Sequence, residues 1–169
     1  MNCTRETSSC FYTSPLGTLE LFSDGSGLCG ARLLKSGFIP ASGPESVCPS
    51  PLLVQAILQL DEYFSGKRQV FTVPLSLHGT AFQIEVWQAL QNIPYGKTLS
   101  YGQLAKTIGR PRAGRAVGQA CHCNPILLFV PCHRAVGAKG ALVGFAAGLD
   151  IKRTLLDMEY ACISRSLRV

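Results

Sequence analysis

Apolar and polar positions alternate early in the chain, then give way to helical spacing. Leu19 and Leu21, with Tyr12 before them, alternate with polar neighbours, the period of a strand with one buried face. Asp24-Gly25-Ser26-Gly27 supplies hairpin-turn chemistry ahead of Leu28 to Leu34. Ser36 to Pro51, rich in Gly and Pro, reads as a loop. Leu53, Ile57, Leu60 and Phe64 recur at helical spacing and predict a helix over 52–64 that Gly66 ends. Residues 67–79 predict a further strand and a connector. Residues 1–79 are therefore expected to form a small α/β support domain, a three-stranded antiparallel sheet with a helix, with its boundary near His78–Thr80.

Residues 80–169 are predicted to be a mainly helical domain. Phe82, Val86, Leu90 and Ile93 share one helical face, and Pro94-Tyr95-Gly96 stops that helix. Ser100 and Gln103 form a capping-box pair that opens a second helix, running to Ile108 and halted by Gly109-Arg110-Pro111. A short helix over 112–122 follows, so helix, tight turn and helix outline a helix-turn-helix. Ala113, Gly114, Ala116, Gly118 and Ala120 leave this last helix almost without bulk, and Arg115 stands alone among them. A helix that reads base edges in the major groove would carry several long polar side chains. A bare one can lie against a minor groove with its Arg free to enter the base stack, or pack tightly on a neighbouring helix; spacing alone leaves both readings open. Ile126 to Val130 reads as an apolar strand leading into Pro131-Cys132-His133-Arg134.

Composition narrows the class. Of 169 residues 47% are hydrophobic and 15% charged, which excludes disorder. No apolar run reaches the roughly 18 residues of a spanning helix, and Met1 to Cys10 lacks the apolar core of a signal peptide. An intracellular protein with no membrane partner is expected. The formal net charge of +6 is unevenly spread, because no Asp or Glu occurs from Val86 to Leu149 while Lys97, Lys106, Arg110, Arg112, Arg115, Arg134 and Lys139 do. Such an excess suits a polyanion, though a solvated basic face would carry the same pattern. The 8 cysteines are irregularly spaced and read as reduced thiols, most of them buried packing residues. Cys132 differs: a thiol where a strand ends, beside an imidazole and a guanidinium, sits where thiolate is expected to be favoured, and thiolate is the nucleophilic form. Cys121, His122, Cys123, Cys132 and His133 lie close in sequence but match no zinc spacing.

These motifs, taken in order, resemble the O6-alkylguanine-DNA alkyltransferase (methylated-DNA–protein-cysteine methyltransferase) family. The likeness runs from Ser14-Pro15-Leu16-Gly17 through Phe82 to Trp87, Pro94-Tyr95-Gly96, Ser100-Tyr101-Gly102-Gln103-Leu104-Ala105, Arg115-Ala116-Val117-Gly118 and Asn124-Pro125. It continues through Pro131-Cys132-His133-Arg134 to Leu155-Leu156-Asp157-Met158-Glu159. The resemblance implies irreversible transfer of an alkyl group from O6 of guanine in double-stranded DNA to the protein's own cysteine, by a monomer without a cofactor. The compartment would be the nucleus in a eukaryote and the cytoplasm in a prokaryote.

By position, the resemblance makes Cys132 the acceptor. His133 would take its proton through a bridging water, and Glu159 would orient the imidazole. Asn124 would brace the turn at the active-site strand, and Tyr101 would donate to the purine. Arg115 would fill the space left by the flipped nucleotide, with Ala113, Gly114, Ala116, Gly118 and Gln119 along the minor groove. Phe145, Ala146 and Ala147 would line the substrate pocket. This last stretch, Phe145-Ala146-Ala147-Gly148, stands where the family usually has Tyr-Ser-Gly-Gly; the extra methyl of Ala147 predicts a preference for methyl over bulky alkyl groups. Some family members hold zinc near the N-terminus, and Cys29 and His78, with Cys3 and Asp24, fall near positions that could serve; no metal is expected here. A lesion-binding module without transfer chemistry would lack the acceptor thiol, and a helix-turn-helix regulator would need base-reading side chains that the 112–122 helix lacks.

Overall fold

The computed structural model describes residues 8–34 and 50–166; the loop reading over 36–49 and the candidate ligand Cys3 lie outside the described residues. The chain divides into two compact units, one running to His78 and taking in Pro125–Leu127, the other comprising Gly79–Asn124 and Leu128 onward.

The first unit contains a three-stranded antiparallel sheet of β1 (Ser8–Ser14), β2 (Gly17–Ser23) and β3 (Leu28–Leu33) in sequential order, with helix α1 (Pro51–Phe64). The Asp24 side chain makes the β2–β3 turn by accepting from the backbone N–H groups of Ser26 at 3.0 Å and Gly27 at 3.1 Å. The period-two pattern holds in β2, where Leu19 and Leu21 are fully buried, and Leu53, Ala56, Leu60 and Tyr63 of α1 complete the core. Ser50 caps α1 and Pro51 occupies its first turn, where a missing N–H costs nothing.

The strand predicted within 67–79 does not form. Leu75 makes one isolated parallel bridge to Leu28, next to Pro74, which has no N–H to extend a ladder. Gln59, a buried polar residue of α1, holds the segment instead: it donates to Thr72 Oγ1 and accepts from Thr72 N, both at 2.8 Å. The strand predicted at Ile126–Val130 is also reduced, to single bridge residues at Ile126, Leu127 and Val130, with Ile126 bridged to Ala31. Leu128, with φ of 72°, then turns the chain through the left-handed region, which ends any ladder.

The second unit contains α2 (Ala81–Gln91), α3 (Tyr101–Thr107), α4 (Gly114–His122) and α5 (Leu149–Ser166). A two-stranded parallel pair, β4 (Leu99–Ser100) with β5 (Ala135–Val136), joins the start of α3 to the segment after Cys132. Capping boxes at Thr80/Gln83 and Ser100/Gln103 fix the starts of α2 and α3. Val86, Trp87, Leu90, Leu104, Val117 and Leu155 are buried, and Trp87 Nε1 donates to the Ala120 carbonyl at 2.9 Å. The helix-turn-helix is formed by α3 and α4. Among the described residues no helix is long and apolar enough to cross a membrane.

Candidate active site

Cys132 begins a single 3-10 turn, Cys132–Arg134, whose residues are all buried. Its N–H donates to the Val130 carbonyl at 2.8 Å. Asn124, just beyond α4, spans the preceding turn by donating to Val130 O at 2.8 Å and to Cys132 Sγ at 3.1 Å. The thiol is 4% exposed. Burial pushes its pKa up, and the Asn124 hydrogen bond, the Lys152 charge and the local backbone only partly offset this. The expectation that thiolate is favoured at rest is therefore corrected: the resting sulfur holds its proton, because it is buried more deeply than its basic neighbours in sequence suggest.

His133 and Glu159 are fully buried and meet at 2.9 Å, His133 Nε2 to Glu159 Oε1. Burial pushes the Glu159 carboxyl up, but the hydrogen bonds and charges of His133 and Arg134 outweigh it and bring it down to about 2. An ionised carboxylate only accepts, so Nε2 carries the ring proton and Nδ1 is left with its lone pair. Nδ1 is buried and has no hydrogen-bond partner among the described residues. Burial lowers the imidazole's proton affinity more than Glu159 raises it, and Arg134 and Lys152 lower it further. The ring is thus a neutral base aimed by a carboxylate.

Two partners of that carboxylate were not anticipated. Arg134, almost fully buried, donates Nη2 to Oε1 at 2.9 Å and Nε to Oε2 at 3.0 Å, and its Nη1 donates to Ile93 O at 2.8 Å. Gly96 N donates to Oε2 at 2.8 Å. Gly96 has a φ of +67°, and a Cβ there would overlap Ile163, so Pro94-Tyr95-Gly96 delivers a backbone donor where a side chain has no room.

Lys152 is the third unforeseen member. It sits beside Arg153 like half of a surface basic pair, yet it is fully buried. Its Nζ donates to Ala135 O at 2.6 Å and Val143 O at 3.0 Å and lies 3.5 Å from Tyr101 Oη. Burial lowers its pKa, against the opposing pull of Cys132 and Cys121. The Tyr101 hydroxyl is directed at the carbonyls of Val143 and Gly144, at 3.0 and 3.2 Å. Burial first, then Cys121 and Cys132, push its pKa up to about 12. Lys152 lies over the rings of both Tyr101 and Phe145, with centroids 5.7 and 5.9 Å away. Phe145 is buried, Ala147 half-buried and Ala146 exposed, so the loop predicted to meet substrate faces Tyr101 and Lys152 on one side and solvent on the other.

On α4 the packing reading of the small-residue helix holds for one face only. Arg115, Ala116 and Gln119 are exposed, while Gly114 and Gly118 face α3, where an added Cβ would meet Gly102 at 3.7 Å and the Tyr101 ring at 3.8 Å. Ala113 is the N-cap and supplies no side-chain hydrogen bond. Arg110, Pro111, Arg112 and Ala113 border an open hollow of about 420 Å³ at the turn between the helices, adding two guanidinium groups there.

In the first unit, His78 Nε2 and Ser76 Oγ meet Asp24 Oδ2 at 3.0 and 2.7 Å. Cys29 does not complete a set with them: among the described residues no three His, Cys, Asp or Glu side chains are grouped to hold a metal. Of the six described cysteines only Cys121 and Cys132 are buried, fewer than expected.

Two family models match the chain. One described as 6-O-methylguanine DNA methyltransferase, ribonuclease-like domain, covers residues 9–77, and one described as 6-O-methylguanine DNA methyltransferase, DNA binding domain, covers 81–161. The chain is similar to a methylated-DNA--protein-cysteine methyltransferase of Methanosarcina acetivorans, with 46% identity over 89% of this chain and 97% of that protein. It is similar to a protein of the same name from Mycobacterium leprae, with 43% identity over 91% of this chain and 93% of the other. A crystal structure of Mycobacterium tuberculosis OGT in complex with DNA matches with a TM-score of 0.80 and 43% identity, covering 91% of this chain and 93% of that one.

Proposed function

The chain belongs to the 6-O-methylguanine DNA methyltransferase family, and from that premise we propose that it repairs DNA by moving the alkyl group of O6-alkylguanine onto its own Cys132. The observation that carries this reading is a buried group of Cys132, His133, Glu159 and Arg134, in which half-buried Asn124 donates to the thiol and the next residue, His133, keeps an Nδ1 with no hydrogen-bond partner among the described residues. An alkyl ether carbon is a weak electrophile, so attack needs a thiolate and a stabilised leaving group together.

The thiol proton passes to His133 Nδ1, relayed by water, and the imidazolium is held by the Glu159 carboxylate. The sulfur–carbon bond forms as the carbon–O6 bond breaks, and the electrons of that bond stay with the purine. Tyr101 supplies the purine with a proton; the Lys152 ammonium 3.5 Å from its oxygen favours that loss, because a cation stabilises phenolate. The product thioether resists water and thiols, so each chain acts once.

The reacting carbon is shielded in stacked DNA, and a poorly pairing alkylated guanine flips out at reduced cost. Exposed Arg115 on α4 would fill the space it leaves, with Ala116 and Gln119 against the minor groove and Arg110 and Arg112 near phosphates. Ala147 in the Phe145–Gly148 loop favours methyl over benzyl; equal rates on methylated and benzylated guanine would reject that preference.

Mass spectrometry of the intact protein after mixing with a methylated oligonucleotide tests the function. A gain of one methyl per chain, absent in Cys132→Ala, is expected. Binding without any gain in mass would leave a lesion-recognising module and overturn the proposal.

A further inference from the structure

The transfer proposed above uses Cys132, His133 and Glu159 and leaves Arg134 without a task, although it is almost fully buried and its guanidinium is held on three sides. Nη2 and Nε grip Glu159, Nη1 binds the Ile93 carbonyl, and the planar group lies 5.5 Å from the Tyr95 ring centroid. Packing alone would not need a cation here. A buried cation has to be matched by an anion, and that anion is also the one on which His133 depends.

We infer, resting on that transfer, that Arg134 is a positioning residue that shares the Glu159 carboxylate with His133 and so keeps the imidazole neutral and ready to accept a proton at Nδ1. Oε1 of Glu159 accepts from both His133 Nε2 and Arg134 Nη2, each at 2.9 Å, so the imidazole N–H and the guanidinium share one oxygen. Without Arg134, the buried carboxylate, left with the Gly96 N–H and the imidazole, would draw a proton onto the ring. The base would then be occupied before the thiol could give up its proton. With Arg134 in place, Arg134 and Glu159 already cancel, and a proton arriving on His133 is matched by the thiolate it leaves on Cys132.

The other charged or titratable groups around His133 act in the same direction or are themselves matched. Lys152, from α5, also disfavours a charged ring. Cys132, on the same turn, and Cys121, on α4, are thiols that burial keeps protonated. Tyr95, on the loop after α2, has its pKa pushed up by burial and stays neutral. Arg134 is thus the cation in direct contact with the carboxylate that orients the ring.

The test is to follow the protonation of His133 by NMR, and the single-turnover transfer rate, against pH in the wild type, Arg134→Met and Arg134→Lys. In Arg134→Met the His133 midpoint is expected to rise by about one pH unit or more. The acid limb of the rate should move with it, giving about a ten-fold loss relative to the variant's own plateau one unit below the wild-type optimum. Arg134→Lys restores the charge and should keep the midpoint near wild type. An unmoved midpoint in folded Arg134→Met would overturn the inference, whatever happened to its melting temperature, because a merely structural role lowers stability and leaves the titration in place. Should Arg134→Met not fold, the nitrogen spectrum of the wild-type ring decides: neutral and protonated at Nε2 at neutral pH is the expected result, and an imidazolium contradicts it. Failure of the wild type to take up methyl at any pH would defeat the transfer itself, a result distinguishable from an altered His133 titration.

Discussion

Each unit of the molecule contains a histidine facing a carboxylate, and the two pairs have almost the same geometry. His78 meets Asp24 at 3.0 Å in the first unit, and His133 meets Glu159 at 2.9 Å in the second. They differ in burial, since the His78 side chain is 60% exposed and that of His133 is 0% exposed. Asp24 has its hydrogen bonds spread over a turn, accepting from Ser26, Gly27, Ser76 and His78, and its pKa is lowered mainly by Ser76 and His78. It stabilises a hairpin. Glu159 binds a buried imidazole and a buried guanidinium, and water cannot replace either partner. Burial and an added guanidinium set the second pair apart from the turn clasp, and such surroundings suit the proton transfer proposed for it.

The largest effect that would sharpen this contrast is Glu159→Gln. It leaves Arg134 buried without an anion and is expected to cost about 3–5 kcal/mol of stability, measured by chemical denaturation. It should also slow methyl transfer by roughly 10²–10⁴-fold in single-turnover assays. Retention of full activity in the variant would show that the carboxylate does not serve the transfer. Tyr101→Phe, which removes one hydroxyl and keeps the ring against Gly118, should slow transfer by about 10–100-fold with little change in melting temperature.

Acid titration comes next. The Glu159 carboxyl is lowered to about 2 in the folded protein, below its unfolded value of about 4.3. A depressed carboxyl contributes stability that is fully present above the unfolded value and is lost as pH falls through the folded one. Stability should therefore decline from about pH 4.3 towards pH 2, and the decline should be shallower in Glu159→Gln. The smallest effect is Asp24→Ala, expected to cost about 1 kcal/mol through lost turn hydrogen bonds and to leave methyl transfer unchanged. A large loss of transfer there would show that the two histidine–carboxylate pairs are not separate in role.

Local signals were the legible part of the chain. Leu19 and Leu21, the Asp24–Gly27 turn, and the Ser100/Gln103 box depend on residues a few positions apart, and each appears where its spacing predicts. The strands expected over 67–79 and 126–130 failed for reasons that are distant or silent in sequence. Gln59 supplies hydrogen bonds to the first segment from a helix more than ten residues earlier, and Leu128 adopts a left-handed turn without the Gly or Asn that normally signals one.

In the site, the order of motifs pointed to Cys132, His133, Glu159, Asn124 and Tyr101, and the structure gathers all five in one unit. Arg134 and Lys152 escaped because a charged residue reads as surface unless its partner is known. A trace of Lys152 was present: with Leu155 and Glu159 it falls at the i, i+3, i+7 spacing of one helical face, and all three are buried. The resting state of the Cys132 thiol was not legible at all, since it follows from burial and not from neighbours in sequence.

The central claim is that Cys132, protonated at rest, becomes the permanent carrier of the group removed from DNA. An oligonucleotide bearing a deuterated methyl on O6 of guanine, followed by peptide mapping of the protein and base analysis of the DNA, tests it most directly. The labelled methyl is expected on the peptide containing Cys132, in one-to-one proportion with guanine restored. Label on any other residue, or guanine restored with Cys132 still bearing its proton, would contradict it.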